Sequence, residues 1–222
     1  MQIGMLGTGN LAVTLGRAWA RAGHTLLLTG RNPRHAASAA DQIGAAAEPV
    51  DPGDIAGRAD IIVVAVAWDG LGEALALVGA SSGSLAGKTV LDCTNPVDYA
   101  SGRLLPDSGS AAEVVARTAA GAHVVKALHM FAGASWPYTG PPASAPVVAI
   151  CGDDEDALGH ARSLVADLGG RAALIGTLAS ARQAEEAAGF VMRVVAAGAN
   201  PRFAVPHVDP AAPGHAETQV AP

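Results

Sequence analysis

Apolar residues come in short blocks separated by helical stretches, and the order of the blocks predicts a layered α/β protein. The first block, residues 2–7, leads into Gly7-Thr8-Gly9-Asn10-Leu11-Ala12. In the helical stretch that follows, Leu11, Leu15 and Trp19 stand at i, i+4 and i+8, one apolar stripe facing a sheet, and Gly23 ends it. Residues 25–29 read as a second strand, 33–43 as an Ala-rich helix and 45–50 as a short edge strand. The β-branched run 61–66, introduced by turn residues around Asp60, has the continuous apolarity of a strand buried on both faces. Strands over 89–92, 124–127, 147–151 and 172–175 complete a sheet of about eight, with helices over 110–120, 153–168 and 178–197. Such alternation predicts a Rossmann-type, doubly wound, mostly parallel sheet with a short C-terminal helical appendage. Residues 1–177 would form the nucleotide-binding domain, 178–206 a helical segment closing a cleft, and 207–222 a Pro- and Ala-rich tail.

The glycine turn sits where a dinucleotide's phosphates would bind. Gly7 allows a tight turn, Gly9 lets the backbone approach a pyrophosphate, and Ala12 is small enough for the helix to pack on the sheet. Free N–H groups at the helix start would hold the anion. Enzymes that use NAD usually end the second strand with an acid that accepts from the ribose 2′-hydroxyl. This chain instead reads Thr29-Gly30-Arg31-Asn32-Pro33-Arg34, which places donors and two guanidiniums where a 2′-phosphate would lie. The cofactor expected is therefore NADP(H), with Thr29, Arg31, Asn32 and Arg34 as candidate phosphate contacts.

Composition narrows the class. The 222 residues carry a net charge of −6, and the pI is near 5.5, which argues against a nucleic-acid partner. No apolar stretch is long enough to span a bilayer, and residues 1–7 lack a charged leader, so a cytoplasmic protein is expected. The two cysteines, Cys93 and Cys151, lie in or beside apolar strands without CxxC spacing and read as buried, unreactive thiols. Only two lysines, Lys88 and Lys126, stand against twelve arginines, which reads as coding bias rather than chemistry. The acidic run 153–156 falls at a helix start, with Asp153 as the expected N-cap, so no metal site is expected.

Ligands of such sheets bind beyond the carboxyl ends of the strands. Three strand ends there are suggestive: Val66-Ala67-Trp68-Asp69, Cys93-Thr94-Asn95-Pro96-Val97, and Ala127-Leu128-His129-Met130-Phe131. The last leads into a long loop whose Trp136 and Tyr138 are expected to wall a pocket. His129 could donate a proton or hydrogen-bond a developing anion, and a structural role is equally open. Neither Tyr99 nor Tyr138 has the partner lysine of short-chain dehydrogenases, and no HExxH motif is present.

Over roughly residues 1–205 the chain resembles the NADPH-dependent F420 reductases, also called F420-dependent NADP oxidoreductases. The matching pieces are 7–12, Gly30-Arg31, 59–68, 87–96, 125–129, 151–155 and 176–182, in order and spacing. The resemblance implies hydride transfer between NADPH and the deazaflavin F420, bound in one cleft with the C-terminal helix as part of its wall, in a homodimer. It implies that Thr8, Gly9, Asn10 and Leu11 hold the pyrophosphate, Arg31 the 2′-phosphate, and Ala65, Val66, Ala67 and Trp68 the ribose side. Asn95, Pro96, His129 and Met130 would lie near the reacting rings, with Val97 beside them. Gly30 departs from the serine usual in that family, and Met130-Phe131 with the loop to Pro146 is particular to this chain. Those departures leave open an NADPH-dependent reductase of an imine or ketone, or a non-catalytic NADP(H) sensor. Pyrroline-carboxylate reductases and β-hydroxyacid dehydrogenases share the glycine turn but carry a larger helical domain after it than the short segment beyond Gly176.

Overall fold

The computed structural model of the chain describes residues 1–131 and 133–205, so the tail expected over 207–222 lies outside the described residues. Eight strands run β1 Gln2–Leu6, β2 Thr25–Thr29, β3 Ala47–Pro49, β4 Ile61–Val64, β5 Thr89–Asp92, β6 His123–Lys126, β7 Val147–Gly152 and β8 Arg171–Leu174. Between and after them lie α1 Asn10–Arg21, α2 Pro33–Ile43, α3 Pro52–Arg58, α4 Leu71–Leu77, α5 Ala111–Thr118, α6 Glu155–Asp167 and α7 Ala181–Ala196. The strands form one sheet in the order β3-β2-β1-β4-β5-β6-β7-β8. All neighbours are parallel except β6 and β7. The chain crosses from the β3 edge to β4 beside β1, which puts the reversal of strand order, and hence the crevice, between β1 and β4.

Strand alternation distributes the core to both faces. Ile61 and Val63 pack with Leu15, Trp19 and Leu164 on one side, while Ile62 and Val64 pack with Ile55, Leu71 and Leu75 on the other. The Trp19 indole N–H donates to the Leu164 carbonyl at 3.0 Å, so burying that ring leaves its polar atom satisfied and ties α1 to α6. In α1 the fully buried stripe is Ala12, Leu15 and Trp19. Leu11, expected on that stripe, is half-buried: it packs against the same core and also borders the crevice.

Several expected boundaries move. β4 ends at Val64 rather than residue 66, because after the Ala65 amide donates to Leu6 O the chain turns off toward Trp68. Asp154, not Asp153, caps α6 by accepting from the Ala157 amide. Asp153 accepts from the Leu178 amide at 3.0 Å and so anchors the start of the C-terminal segment. That segment opens with a single 3₁₀ turn over Leu178–Ser180 before α7 begins. The seven-residue helices α3 and α4 were not anticipated, although Asp51-Pro52 is a helix-start signal for α3.

Candidate active site

At the β1 end the backbone is shaped by what it cannot accommodate. Gly7 has φ +131°, and a Cβ there would lie 2.3 Å from the Ala65 carbonyl oxygen, so only glycine fits between β1 and β4. Gly9 is the N-cap of α1 and faces open space. No side chain caps α1, and no acid stands in its first turn. The positive end of a twelve-residue helix therefore opens on the crevice with its N–H groups available, the arrangement a pyrophosphate requires.

The end of β2 is more crowded. Thr29 is buried and its hydroxyl has no partner among the described residues. A Cβ on Gly30 would come within 3.3 Å of the Thr8 methyl, a close contact that a small shift of that side chain would relieve. Asn32 is committed to capping α2, its side-chain oxygen accepting from the Arg34 amide at 2.9 Å. Arg31 and Arg34 are exposed, and Arg31 is paired with Glu73 of α4 at 2.8 Å. Thr29, Gly30 and Arg31 border a cavity of about 450 Å³ with Pro33, Asp51 and Leu77.

The main cleft, about 860 Å³, spans from the α1 start to α7. Its lining brings together Gly9, Asn10, Leu11, Ala65, Val66, Ala67, Trp68, Asn95, Val97, His129 and Met130. Gly7, Thr8 and Pro96 lie outside it, and the Pro96 carbonyl accepts from the Leu105 amide at 2.8 Å. Sequence reading missed Tyr99, Leu105, Ala188, Val191 and Met192, which with Phe131 supply much of the apolar wall. The aromatic wall is not the expected one. Trp136 is buried in the core, its ring 5.2 Å from that of Phe131, and the Tyr138 hydroxyl donates to Pro141 O. Trp68, Tyr99 and Phe131 take their place.

Beneath the cleft lies a cluster of charge that the lysine count had concealed. Lys126 Nζ contacts Asp92 Oδ2 at 2.9 Å, Glu185 Oε1 at 2.7 Å and the Thr94 carbonyl, and all three ionic side chains are fully buried. Glu185 also accepts from the amides of Ala111 (3.0 Å) and Ala112 (3.4 Å) at the start of α5. Burial pulls against the Lys126 charge, but the facing Asp92 and Glu185 carboxylates outweigh it and hold the ammonium above its ordinary pKa. Burial raises that of Glu185, with Lys126 opposing. The cluster fastens α7 to β5, β6 and α5, one turn ahead of Ala188 and two ahead of Met192 on the cleft wall. A close backbone approach adds a second fastening, since a Cβ on Gly189 would lie 2.2 Å from Gly102 O.

His129 belongs to the same framework. Its Nε2–H donates to Ala184 O at 3.0 Å, and burial, then Lys126, pushes its pKa down to about 3. The imidazole is thus neutral, with Nδ1 left as a buried acceptor that has no partner among the described residues. Proton donation, one of the roles open from sequence, is not available to it near neutrality. Cys93 is also held protonated, its thiol raised by burial and then by Asp92. Cys151 is pushed up to about 11, chiefly by burial, and both cysteines are free and buried as expected. Among the described residues no group of three His, Cys, Asp or Glu could hold a metal ion, and no helix is long and apolar enough to cross a membrane.

Fold and site together define a Rossmann-type α/β protein with an open cleft at the carboxyl ends of its strands. Residues 2–96 match the model of the family described as NADP oxidoreductase, coenzyme F420-dependent, the family that the motifs resemble. A solved protein from Arthrobacter sp. FB24, provisionally described as an F420-dependent NADP reductase, is 27% identical, with a TM-score of 0.76 over 89% of this chain and 95% of its own. A hypothetical protein from Sinorhizobium meliloti is 25% identical, with a TM-score of 0.68 over 82% of this chain and 87% of its own. A reductive aminase from Aspergillus terreus, solved with NADPH and ethyl-5-oxohexanoate, shares the fold at 20% identity and a TM-score of 0.66; the match spans 89% of this chain and 63% of the aminase. No curated protein matches the chain.

Proposed function

We propose that this protein transfers hydride between NADP(H) and coenzyme F420 in its main cleft. The observation that carries this reading is the build of the cleft. One end is an uncapped helix N-terminus, and the other is an apolar wall of Trp68, Phe131, Val191 and Met192. Two titratable groups within the lining, Cys93 and His129, are held neutral by burial. NADPH, when bound, would supply the hydride, and the proton that balances reduction of the deazaflavin would be taken from solvent, since the buried Cys93 and His129 are not placed to give one. The work left to the chain is to bind, orient and exclude water. The amides around Gly9, Asn10 and Leu11 would hold the pyrophosphate, and Arg31 the 2′-phosphate. Val66, Ala67 and Trp68 would flank the ribose, while Asn95, Val97 and Met130 would face the second ring. Orientation of this kind supplies on the order of 7 to 11 kcal/mol of barrier reduction.

The family match, the Arthrobacter neighbour and the contribution of α7 to the wall support F420 as the acceptor. The reading extends to a cytoplasmic homodimer, supported by the two free cysteines and by the exposed Phe190, Val195 and Phe203 of the C-terminal segment. The test is to mix purified protein, NADPH and oxidised F420 and to follow the absorbance of both. NADPH-dependent bleaching of F420 supports the proposal. NADPH binding with turnover only of imines or ketones, or with no turnover at all, overturns it in favour of the other reductase or of a sensor.

A further inference from the structure

The structure assigns to Glu73 a part in choosing between NADP and NAD, an assignment that rests on reading Arg31 as the 2′-phosphate contact. No acid ends β2, and that absence is the sequence argument for NADP. The fold brings one in from elsewhere. Glu73, in the first turn of α4 and 42 residues from Arg31 along the chain, places Oε2 2.8 Å from Arg31 Nη1. Both side chains are open to solvent, Arg31 at 67% and Glu73 at 60%, so an incoming anion can reach the pair. A carboxylate at this point acts in two ways. It neutralises the guanidinium that a 2′-phosphate needs, and it repels the phosphate itself. A ribose 2′-hydroxyl, by contrast, can donate to it. Arg34, exposed on α2, makes no ion pair among the described residues and offers a second cation without such a brake. Glu73 therefore narrows the preference that Arg31 alone would set, and the protein binds both dinucleotides with only a moderate bias to NADP.

The experiment is equilibrium titration of NADPH and NADH, read by nucleotide fluorescence, against wild type, Glu73→Gln, Arg31→Ala and the double variant. Glu73 is exposed, and circular dichroism verifies the fold of its variant. Glu73→Gln is expected to tighten NADPH about three- to five-fold, the scale of an exposed charge pair, with NADH unchanged or weaker. In the Arg31→Ala background the gain shrinks, because there is no guanidinium left to release. A ratio unmoved by Glu73→Gln, alongside a narrowing in Arg31→Ala, overturns the role of Glu73 and leaves the phosphate contact standing. Failure of wild type to bind NADPH at all overturns the functional reading itself, and this proposal with it.

Discussion

Replacing Lys126 with methionine tests whether the buried charge cluster holds the cleft wall. The side chain is fully buried and satisfies Asp92 and Glu185 together, so Lys126→Met leaves two carboxylates inside the protein without their cation. Removing one partner of a buried pair costs about 3 to 5 kcal/mol. Backbone donors soften this: the Thr94 amide at 2.9 Å from Asp92, and those of Ala111 and Ala112 on Glu185. The low end of the range is therefore expected, a fall in melting temperature of roughly 10 °C for a chain this size. Glu185→Gln should cost under about 1 kcal/mol, because it leaves one cation facing one anion and removes the carboxylate that burial already disfavours. The penalty should also depend on pH. Without Lys126 the folded pKa of Glu185 climbs further above its unfolded value, so the deficit is greatest at neutrality and shrinks as pH falls toward about 4.5, where the unfolded carboxyl takes up its proton. Urea denaturation of wild type and both variants across that window is the assay. A loss below about 1 kcal/mol in Lys126→Met, or one equalled by Glu185→Gln, refutes the reasoning.

Two further predictions concern the same framework. His129 has its pKa lowered from 6.5 to about 3, so at about 1.4 kcal/mol per pH unit the fold loses up to about 5 kcal/mol as pH falls through that interval. Acid denaturation of wild type against His129→Gln checks this, and the variant should show a flatter slope. Gly189→Ala places a methyl against the Gly102 carbonyl, with backbone on both sides, so α7 must shift outward. Stability should fall by about 1 to 3 kcal/mol, and the KM for the hydride acceptor should rise while NADPH affinity stays the same; an unchanged acceptor KM would show that α7 does not set the second subsite.

What could be read in advance was what lies close together in the chain. The glycine turn between β1 and α1 is six consecutive residues, and the alternation of strands and helices marked the sheet because both are local patterns. Leu11 keeps the packed face that periodicity assigns it, but at the first turn of α1 that residue also borders the crevice, which spacing alone does not show. The Glu73–Arg31 pair and the Asp92–Lys126–Glu185 cluster join residues from distant segments, which spacing cannot reveal. One signal was available all the same. A lysine inside the apolar block 124–127 cannot be buried unless paired, and that requirement outranks coding bias as an explanation. Trp136 and Tyr138 misled in the opposite direction, since a loop rich in aromatics can turn inward to fill the core as readily as it can line a pocket.

Because α7 is moored by ions at the carboxyl ends of β5 and β6, and not by the glycine turn, the two halves of the cleft answer to separate parts of the chain. On the proposed reading, substitutions at Tyr99, Met130 or Met192 would reshape what docks opposite the nucleotide and leave its grip intact. One scaffold can in this way keep its electron donor through a lineage and exchange its electron acceptor.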